Sequence, residues 1–495
     1  MDKLRDLEDQ LEKVAISGEG VTNQTLSEQL LKDLLMIVKH PTFISFFANR
    51  KIFNFSFGYL DKLIQADDPD DYMRVLQILS LLPKDDVTSQ QFQRCMFNNV
   101  DFFAMKLGFV VRQEHEWILE TGYEFRVKLA YHSIPILHNT DQQLKLEINR
   151  ENLVQDSITK ILEADEFDLR RGISVRFVGE AGIGDGVRRD WLISLVGKMV
   201  ETQDAFQTSG GDLAPDHTRI YPKQGSSASA DFYRCFGRLI VLALIHNIQV
   251  GITFDNILFL QLSEKKITLE DIRATDPAKY KSYNEIMRSS PQSYDEEYYY
   301  FSDGSDHSDD DEGGRVVPLE DREKYVAGKI QKEFVSSIQA QTDNILKGFD
   351  GLLSVFRIVI FQILKLEDFD YLIRGIKELK MEDWKKFTRY EQGYEANDRQ
   401  IKWFWQCVQD LPEEKRRKLL YNWTGIKYLP RGGFEALRPP VVIRNWPQDK
   451  ELLDDLPRAQ TCFHRLSFPR YESYEKMLKK LHLFIDECDG TFRME

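Results

Sequence analysis

The sequence predicts a mixed α+β protein that opens with an all-helical region. From Leu4 to about Tyr131 apolar residues recur every three to four positions. Leu30, Leu31, Leu34, Leu35 and Val38 fall on one face and Val75, Leu76, Ile78, Leu79 and Leu82 on another, the pattern of amphipathic helices. From Leu144 the period drops to two, with Leu144, Leu146 and Ile148 alternating with polar residues as along a strand. Helical and strand-like stretches then mix to the end of the chain, which is the α+β pattern.

In the N-terminal stretch Pro41 and Pro83 end helices, because proline lacks the amide that the next turn needs. Periodicity is lost from His132 to Thr140, and a domain boundary is placed there. His132 and His138 read as loop residues, since no carboxylate or thiol clusters with them as a metal site requires. Ile173 to Val178 reads as a second strand and runs into Gly179-Glu180-Ala181-Gly182-Ile183-Gly184-Asp185-Gly186 before a helix containing Trp191. A glycine-rich turn in that setting invites a phosphate-loop reading. Here Val187-Arg188-Arg189 stands where the lysine and hydroxyl of such a loop are needed, so nucleotide binding is not expected.

Leu239 to Ile245 and Leu352 to Leu366 are the most apolar runs. Both are too short or too interrupted, by Arg357 and Gln362, to span a membrane, and they read as core helices. Between Asp295 and Glu312 the chain turns acidic, and from Asp303 self-repulsion predicts a solvated loop, a surface insertion that phosphorylation of Ser305 or Ser308 would make more negative. Helical periodicity returns from Gln331 to Leu366. Helices and strands then alternate through Trp384, Trp403 and Trp423.

A chain of 495 residues exceeds one compact core, and 42% hydrophobic residues supply apolar surface for several. The net charge of -14 argues against a nucleic-acid partner, which would be met by clustered Lys and Arg. Five cysteines without a CxxC pair disfavour a zinc site and a disulfide framework, so no metal or cofactor is expected and a reducing compartment fits. The charged N-terminus lacks the apolar stretch of a secretory signal.

Among the cysteines Cys462 stands out, in Leu456-Pro457-Arg458-Ala459-Gln460-Thr461-Cys462-Phe463-His464-Arg465-Leu466, between a polar loop and an alternating apolar run. A thiol at a loop-to-strand junction is exposed enough to react and held by rigid backbone, and its thiolate is the nucleophile. The competing reading is a small buried hydrophobe. His464 lies on the same strand face as Cys462 if the segment is extended, where an imidazole could move a proton. A cysteine hydrolase would also need an Asn or Asp placed about the pair.

The wider order of residues narrows the choice. Ile148 to Ser157, Phe177-Val178-Gly179-Glu180 through Trp191, Phe236-Gly237-Arg238, Lys347-Gly348-Phe349, Asp383-Trp384, Tyr390 to Tyr394, Trp403-Phe404-Trp405, Thr424-Gly425 with Pro430 and Gly433-Phe434, and Thr461-Cys462-Phe463 with Tyr471 to Lys476 follow one another in a fixed series. From about Lys145 to Glu495 this series resembles the HECT domain of ubiquitin-protein ligases. The resemblance implies two lobes after a helical region at 1–140. A large, mostly helical N-lobe occupies 141–376, with a subdomain at about 255–325 that docks a ubiquitin-conjugating enzyme. A smaller α/β C-lobe at 377–495 carries the cysteine, and the hinge lies near Gly375-Ile376-Lys377.

By the same resemblance ubiquitin passes from the conjugating enzyme to Cys462, preceded by Thr461, and then to a lysine of a substrate protein. A lysine amine is mostly protonated at neutral pH and must lose that proton before attack. Candidates to help are His464 and Glu495 with the terminal carboxylate. Phe492, fourth from the end, matches a phenylalanine that anchors the tail in the family; it also fits as an aromatic covering a C-lobe edge. Tyr283, Tyr299 and Tyr325 are the candidate docking residues, each of which also suits a subdomain core. The family's loop before Tyr325 is shortened here. A catalytically inactive adaptor with the HECT fold is the alternative, which retention of Thr461, Cys462, Phe463 and Phe492 disfavours. A cytoplasmic or nuclear setting is expected.

Overall fold

The computed structural model describes residues 116–119, 121–134, 143–202, 204–209, 219–289, 299–301, 315–353, 356–376, 378–445 and 455–487. The helices expected over Leu30 to Val38 and Val75 to Leu82, the acidic loop, and Phe492 and Glu495 lie outside them. The chain divides into two compact units, Met1–Pro135 with Val355–Asp368, and Ile136–Ser354 with Phe369–Glu495. Helices and strands are mixed, as the α+β expectation required.

In the first unit helix α1 (Tyr123–Ser133) ends ahead of Pro135, which disfavours helical backbone at the residue before it. His132 therefore lies in this helix and not in the loop expected from the fading periodicity. Arg126 on α1 is buried and forms a two-pronged ion pair with Asp368, at 2.6 and 2.8 Å. Such a fork matches the planar guanidinium to the carboxylate and compensates the burial of both charges.

The second unit begins with β1 (Leu144–Ile148), α2 (Leu153–Glu163) and β2 (Ile173–Phe177), and β1 and β2 pair in parallel with Leu144 opposite Ile173. Leu146, Ile148, Ile173, Val175 and Phe177 face inward, the period-two burial the sequence announced. Helix α3 (Asp185–Thr202) follows the glycine-rich turn and buries Trp191, Leu195 and Met199. The Trp191 indole donates to Ser157 of α2 at 3.0 Å.

After the hairpin β3 (Phe206–Ser209) and β4 (Arg219–Pro222) comes α4 (Ala230–Ile245), started by Ser229, whose hydroxyl accepts from the Phe232 amide at 3.1 Å. Leu239 to Leu244 are buried all round, so this is the core helix that the apolar run indicated. Next come α5 (Asn256–Leu262) and α6 (Pro277–Arg288), each begun by an aspartate cap, and the short pair β5 (Tyr300–Phe301) and β6 (Arg315–Val316). They are followed by α7 (Arg322–Ile330) and α8 (Gln339–Leu353); in chain order α9 (Phe356–Ile363) then belongs to the first unit, and α10 (Leu366–Ile373) begins in the first unit and ends in the second. The long helical run expected from Gln331 to Leu366 is thus broken, by a π turn at Gln331–Val335, a 3-10 turn at Ser336–Ile338 and the end of α8 at Leu353.

The remaining chain folds as α11 (Met381–Phe387), β7 (Arg389–Glu391), α12 (Arg399–Asp410), α13 (Glu413–Thr424), β8 (Val442–Asn445), β9 (Arg458–Gln460), β10 (Arg465–Phe468) and α14 (Tyr474–Glu487). Its sheet has the order β7-β8-β10-β9, parallel except for the β9–β10 pair. Trp384, Trp405, Trp423, Phe404 and Phe434 pack beneath it, with Trp384 stacked on Phe434 at 5.1 Å. Among the described residues no helix is long and apolar enough to cross a membrane.

Helices α4 and α8 touch backbone to backbone. A methyl on Gly348 would lie 2.2 Å from the Arg234 carbonyl oxygen, and one on Gly237 would lie 2.3 Å from that of Ile345. Gly348→Ala is therefore expected to cost roughly 1–3 kcal/mol of unfolding free energy through forced separation of the helices. Gly328→Ala, in α7 with open space at its Cβ, should be neutral or stabilising. Thermal unfolding of both variants checks this; an unchanged midpoint for Gly348→Ala would mean that the two backbones do not meet.

Candidate functional site

Strands β9 and β10 form an antiparallel pair whose connection is a single 3-10 turn, Thr461–Phe463, closed by His464 in the left-handed region at φ 48°. Backbone and side chain together fix His464. Its amide donates to the Thr461 carbonyl at 3.2 Å, and its own carbonyl accepts from the Val442 amide at 2.9 Å and the Trp423 indole at 2.8 Å. The ring is buried at 1% exposure, with Nδ1 2.6 Å from the Pro439 carbonyl oxygen.

Burial, reinforced by the nearby Arg189 charge, pulls the His464 pKa down to about 4. At neutral pH the imidazole is uncharged, and Nδ1–H donates to Pro439. The expected strand face shared with Cys462 is absent: residues i and i+2 share a face only in extended backbone, and here the chain turns. The same turn that draws His464 inward leaves Cys462 exposed and Phe463 55% exposed.

The glycine-rich turn before α3 lies against this tip. A Cβ on Gly184, which has φ +112°, would stand 3.2 Å from the Cys462 sulfur, and one on Gly186 2.6 Å from the Thr461 hydroxyl oxygen. Side chains at these two positions would crowd the thiol turn, so the glycines serve close approach of backbone rather than phosphate. Behind them Arg188 donates to the Ile173 carbonyl at 2.9 Å and pairs with Asp185 at 2.7 Å, and Arg189 donates to the Thr424 carbonyl at 2.8 Å. Both guanidinium groups are near enough to feel the charge of a Cys462 thiolate.

The other cysteines differ. Cys235 and Cys407 are buried, which pushes their thiols up to about 12 and about 11, so both are protonated and inert at neutral pH. Cys95 and Cys488 lie outside the described residues. Among the described residues no group of three or more His, Cys, Asp or Glu side chains gathers as a metal would need.

Thr461, Cys462 and His464 thus share one turn, while the three tyrosines belong to a separate hydrophobic core built from Ile257, Ile272, Ile286, Val326 and Phe334. Tyr283 is part of that core at 8% exposure, its ionisation suppressed by burial and by a hydrogen bond to Glu333. Tyr299 and Tyr325 are half-buried against it with rings 5.8 Å apart. Sequence reasoning named Gly184, Gly186 and Arg189 only as parts of a glycine-rich turn and Trp423 only as a landmark, without linking them to Cys462, and passed over Pro439. Each acts on the tip through backbone proximity or a main-chain carbonyl, for which a sequence carries no side-chain signature.

His464 binds its proton at lower pH in the folded chain than in the unfolded chain, where the ordinary value is 6.5. Its contribution to stability is therefore complete above about pH 6.5 and is lost as pH falls towards 4. Between pH 7 and 5 the loss through this residue is on the order of 2 kcal/mol. Denaturant titrations should show that loss in the unaltered chain and a flatter profile in His464→Asn. Equal pH dependence of the two would place the imidazole in solvent.

The HECT-domain (ubiquitin-transferase) family model matches residues 199–495, a narrower span than the resemblance from Lys145 suggested but well over half of the chain. The chain is similar to E3 ubiquitin-protein ligase UPL5 of Arabidopsis thaliana, 32% identical over 420 residues that make up 80% of this chain and 47% of that protein. It is similar to E3 ubiquitin-protein ligase RSP5 of Saccharomyces cerevisiae at 29% over 386 residues, 74% of this chain and 46% of the relative. For E3 ubiquitin-protein ligase NEDD4 of Mus musculus the figures are 28% over 385 residues, 74% and 42%. The chain spans about half the length of these relatives. With its thiol turn, its sheet and its tryptophan core all inside the matched span, the chain belongs to the HECT-domain family.

Proposed function

We propose that this chain is a ubiquitin-protein ligase that carries ubiquitin as a thioester on Cys462 and passes it to substrate lysines. The observation that carries the proposal is an exposed thiol on a turn whose next residue is locked in the core, within a HECT-family chain. In the first step the Cys462 thiolate attacks the thioester carbonyl that joins ubiquitin to its conjugating enzyme, and the conjugating enzyme's sulfur leaves with the electron pair. In the second a lysine amine attacks the new thioester, gives up a proton, and the Cys462 sulfur leaves as thiolate. Arg188 and Arg189 lie near enough for that departing charge to act on them. An adaptor lacking catalysis would have no need of a thiol held outward in this way.

In this reading residues 141–376 form the N-lobe and 377–495 the C-lobe. Gly375, at φ +74°, begins the hinge, and Ile376 pairs with Leu429 through backbone bonds of 2.6 and 2.9 Å. Tyr299 and Tyr325 present the aromatic surface for the conjugating enzyme, and the buried Tyr283 supports them from beneath. Thr461 packs the turn against Gly186. His464 acts as the anchor of the turn, since a ring with a pKa of about 4 and Nδ1 tied to Pro439 is poorly suited to take a proton from lysine. Phe492 as tail anchor and Glu495 with the terminal carboxylate as proton acceptor remain in the proposal on the family resemblance. The free Cys462 thiol suits a reducing cytoplasmic or nuclear setting.

Incubation with activating enzyme, a conjugating enzyme and ubiquitin should yield a ubiquitin adduct that thiol reductant removes. Cys462→Ala should abolish it, whereas replacing Cys95, Cys235, Cys407 and Cys488 together should leave it. A reducible adduct that persists in Cys462→Ala would defeat the proposal.

A further inference from the structure

The sheet that carries the thiol turn has two unlike faces. Ile443 of β8 and Leu466 and Phe468 of β10 point into the tryptophan core, with Tyr390 of β7 and Ala459 of β9 packed against it. Residues alternate between faces along a strand, and residues opposite each other on paired strands share one. The other face is therefore built from two cross-strand rows. Arg389, Val442, Arg465 and Gln460 form the row next to the thiol turn, and Glu391, Arg444, Ser467 and Arg458 the row beyond it. Four of these residues are arginines and one is an acid.

Side-chain contacts tie this face together and to the turn. Arg444 donates to the Ser467 hydroxyl at 2.7 Å and to the Gln460 side-chain oxygen at 3.1 Å, spanning β8, β10 and β9. Arg465 lies 5.1 Å over the ring of Phe463, on the thiol turn itself. Arg458 pairs with Asp455 at 3.3 Å, which offsets part of its charge, and Arg389 is exposed. Even with Glu391 and Asp455 set against them, the guanidinium groups leave this face positive, in a chain whose net charge is -14.

An acceptor must bring its amine to the thioester carbon on Cys462, so the chain on either side of that lysine passes close to Arg465 and Gln460, which flank the turn. A lysine set among basic residues meets repulsion there, and one set among acidic residues meets attraction. We infer that the face formed by Arg389, Arg444, Arg458 and Arg465 selects acceptors by charge: it docks an acidic segment of the substrate protein beside the target lysine. An extended segment rises about 3.3 Å per residue and the two rows lie two residues apart, so carboxylates roughly two to six positions from the lysine are the ones in reach. The inference rests on the ligase reading above and names a class of substrate for it.

The test uses the full chain in single-turnover form. Labelled ubiquitin is loaded from a conjugating enzyme and the supply is quenched. Discharge is then followed to three peptides of equal length, each with one lysine, flanked by glutamates, by glutamines or by arginines. The readout is the ratio of discharge rates on the acidic and basic peptides, in which any general loss of activity cancels. The unaltered chain should prefer the acidic peptide by about tenfold at low ionic strength and by about twofold or less near 1 M salt, where charges are screened within about 3 Å. Arg389→Glu combined with Arg458→Glu should bring the ratio to about one or below. Arg389→Lys combined with Arg458→Lys should keep the preference, as should Lys402→Glu, a charge reversal at an exposed position of α12 in the helical layer. A ratio near one in the unaltered chain, or a preference that survives Arg389→Glu with Arg458→Glu, overturns the inference. So does a double variant that slows loading and all three discharges by the same factor, since the face would then serve the ubiquitin on the sulfur. If the unaltered chain forms no adduct, the ligase reading itself fails and takes the inference with it; an adduct discharged without regard to flanking charge removes the inference alone.

Discussion

The seating of His464 is the constraint on which the candidate site depends. A non-glycine residue in left-handed backbone costs on the order of 1 kcal/mol, and a buried imidazole costs more unless its polar atoms are satisfied. Here the cost is offset by bonds from Trp423 and Val442 to its carbonyl, from its own amide to Thr461 and from its ring to Pro439. The outcome is geometric. Once His464 points into the core, Cys462 and Phe463 are turned outward at the end of a hydrogen-bonded strand pair, so the thiol is exposed on a turn whose following residue is held.

That series of contacts extends away from the strand pair through α13. Trp423 belongs to the tryptophan core and to the thiol turn at once, and its helix also carries the residues that meet Asp190 and Arg189. The glycines of the turn before α3 complete the fit by letting backbone approach where a side chain would crowd Cys462 and Thr461. Arg150 ties the arrangement to the first strands through Glu180 and Phe177. A displacement at α3 would therefore be felt at the sulfur, the behaviour expected of a packed, hydrogen-bonded chain of contacts.

Much of this was legible in the sequence where side-chain periodicity carries the signal. The alternation at Leu144, Leu146 and Ile148 and the apolar run at Leu239 to Ile245 became β1 and the core of α4. The prominence of Cys462 followed from its neighbours, and its exposure agrees with that. What escaped was conformational. An alternating pattern was expected after Cys462, yet β10 buries Leu466, Ser467 and Phe468 in succession, so both faces of this strand are covered. The αL turn at His464 and the helix that continues through His132 to Ser133 depend on tertiary bonds and on a proline three residues later, and local periodicity reports neither. The glycine-rich turn could be denied a phosphate from its missing lysine, but the partner it approaches is nearly three hundred positions away in sequence.

The central claim is that the Cys462 sulfur rests against the turn at Gly184 in the folded chain. The unaltered chain tests it directly, since the Gly184 conformation at φ +112° leaves no room for a reporter side chain there. With isotopically labelled glycine and cysteine, a nuclear Overhauser contact between the Gly184 α-protons and the Cys462 β-protons should appear and should vanish in Cys462→Ala. A folded chain in which Cys462 shows no contact to Gly184 would contradict the account.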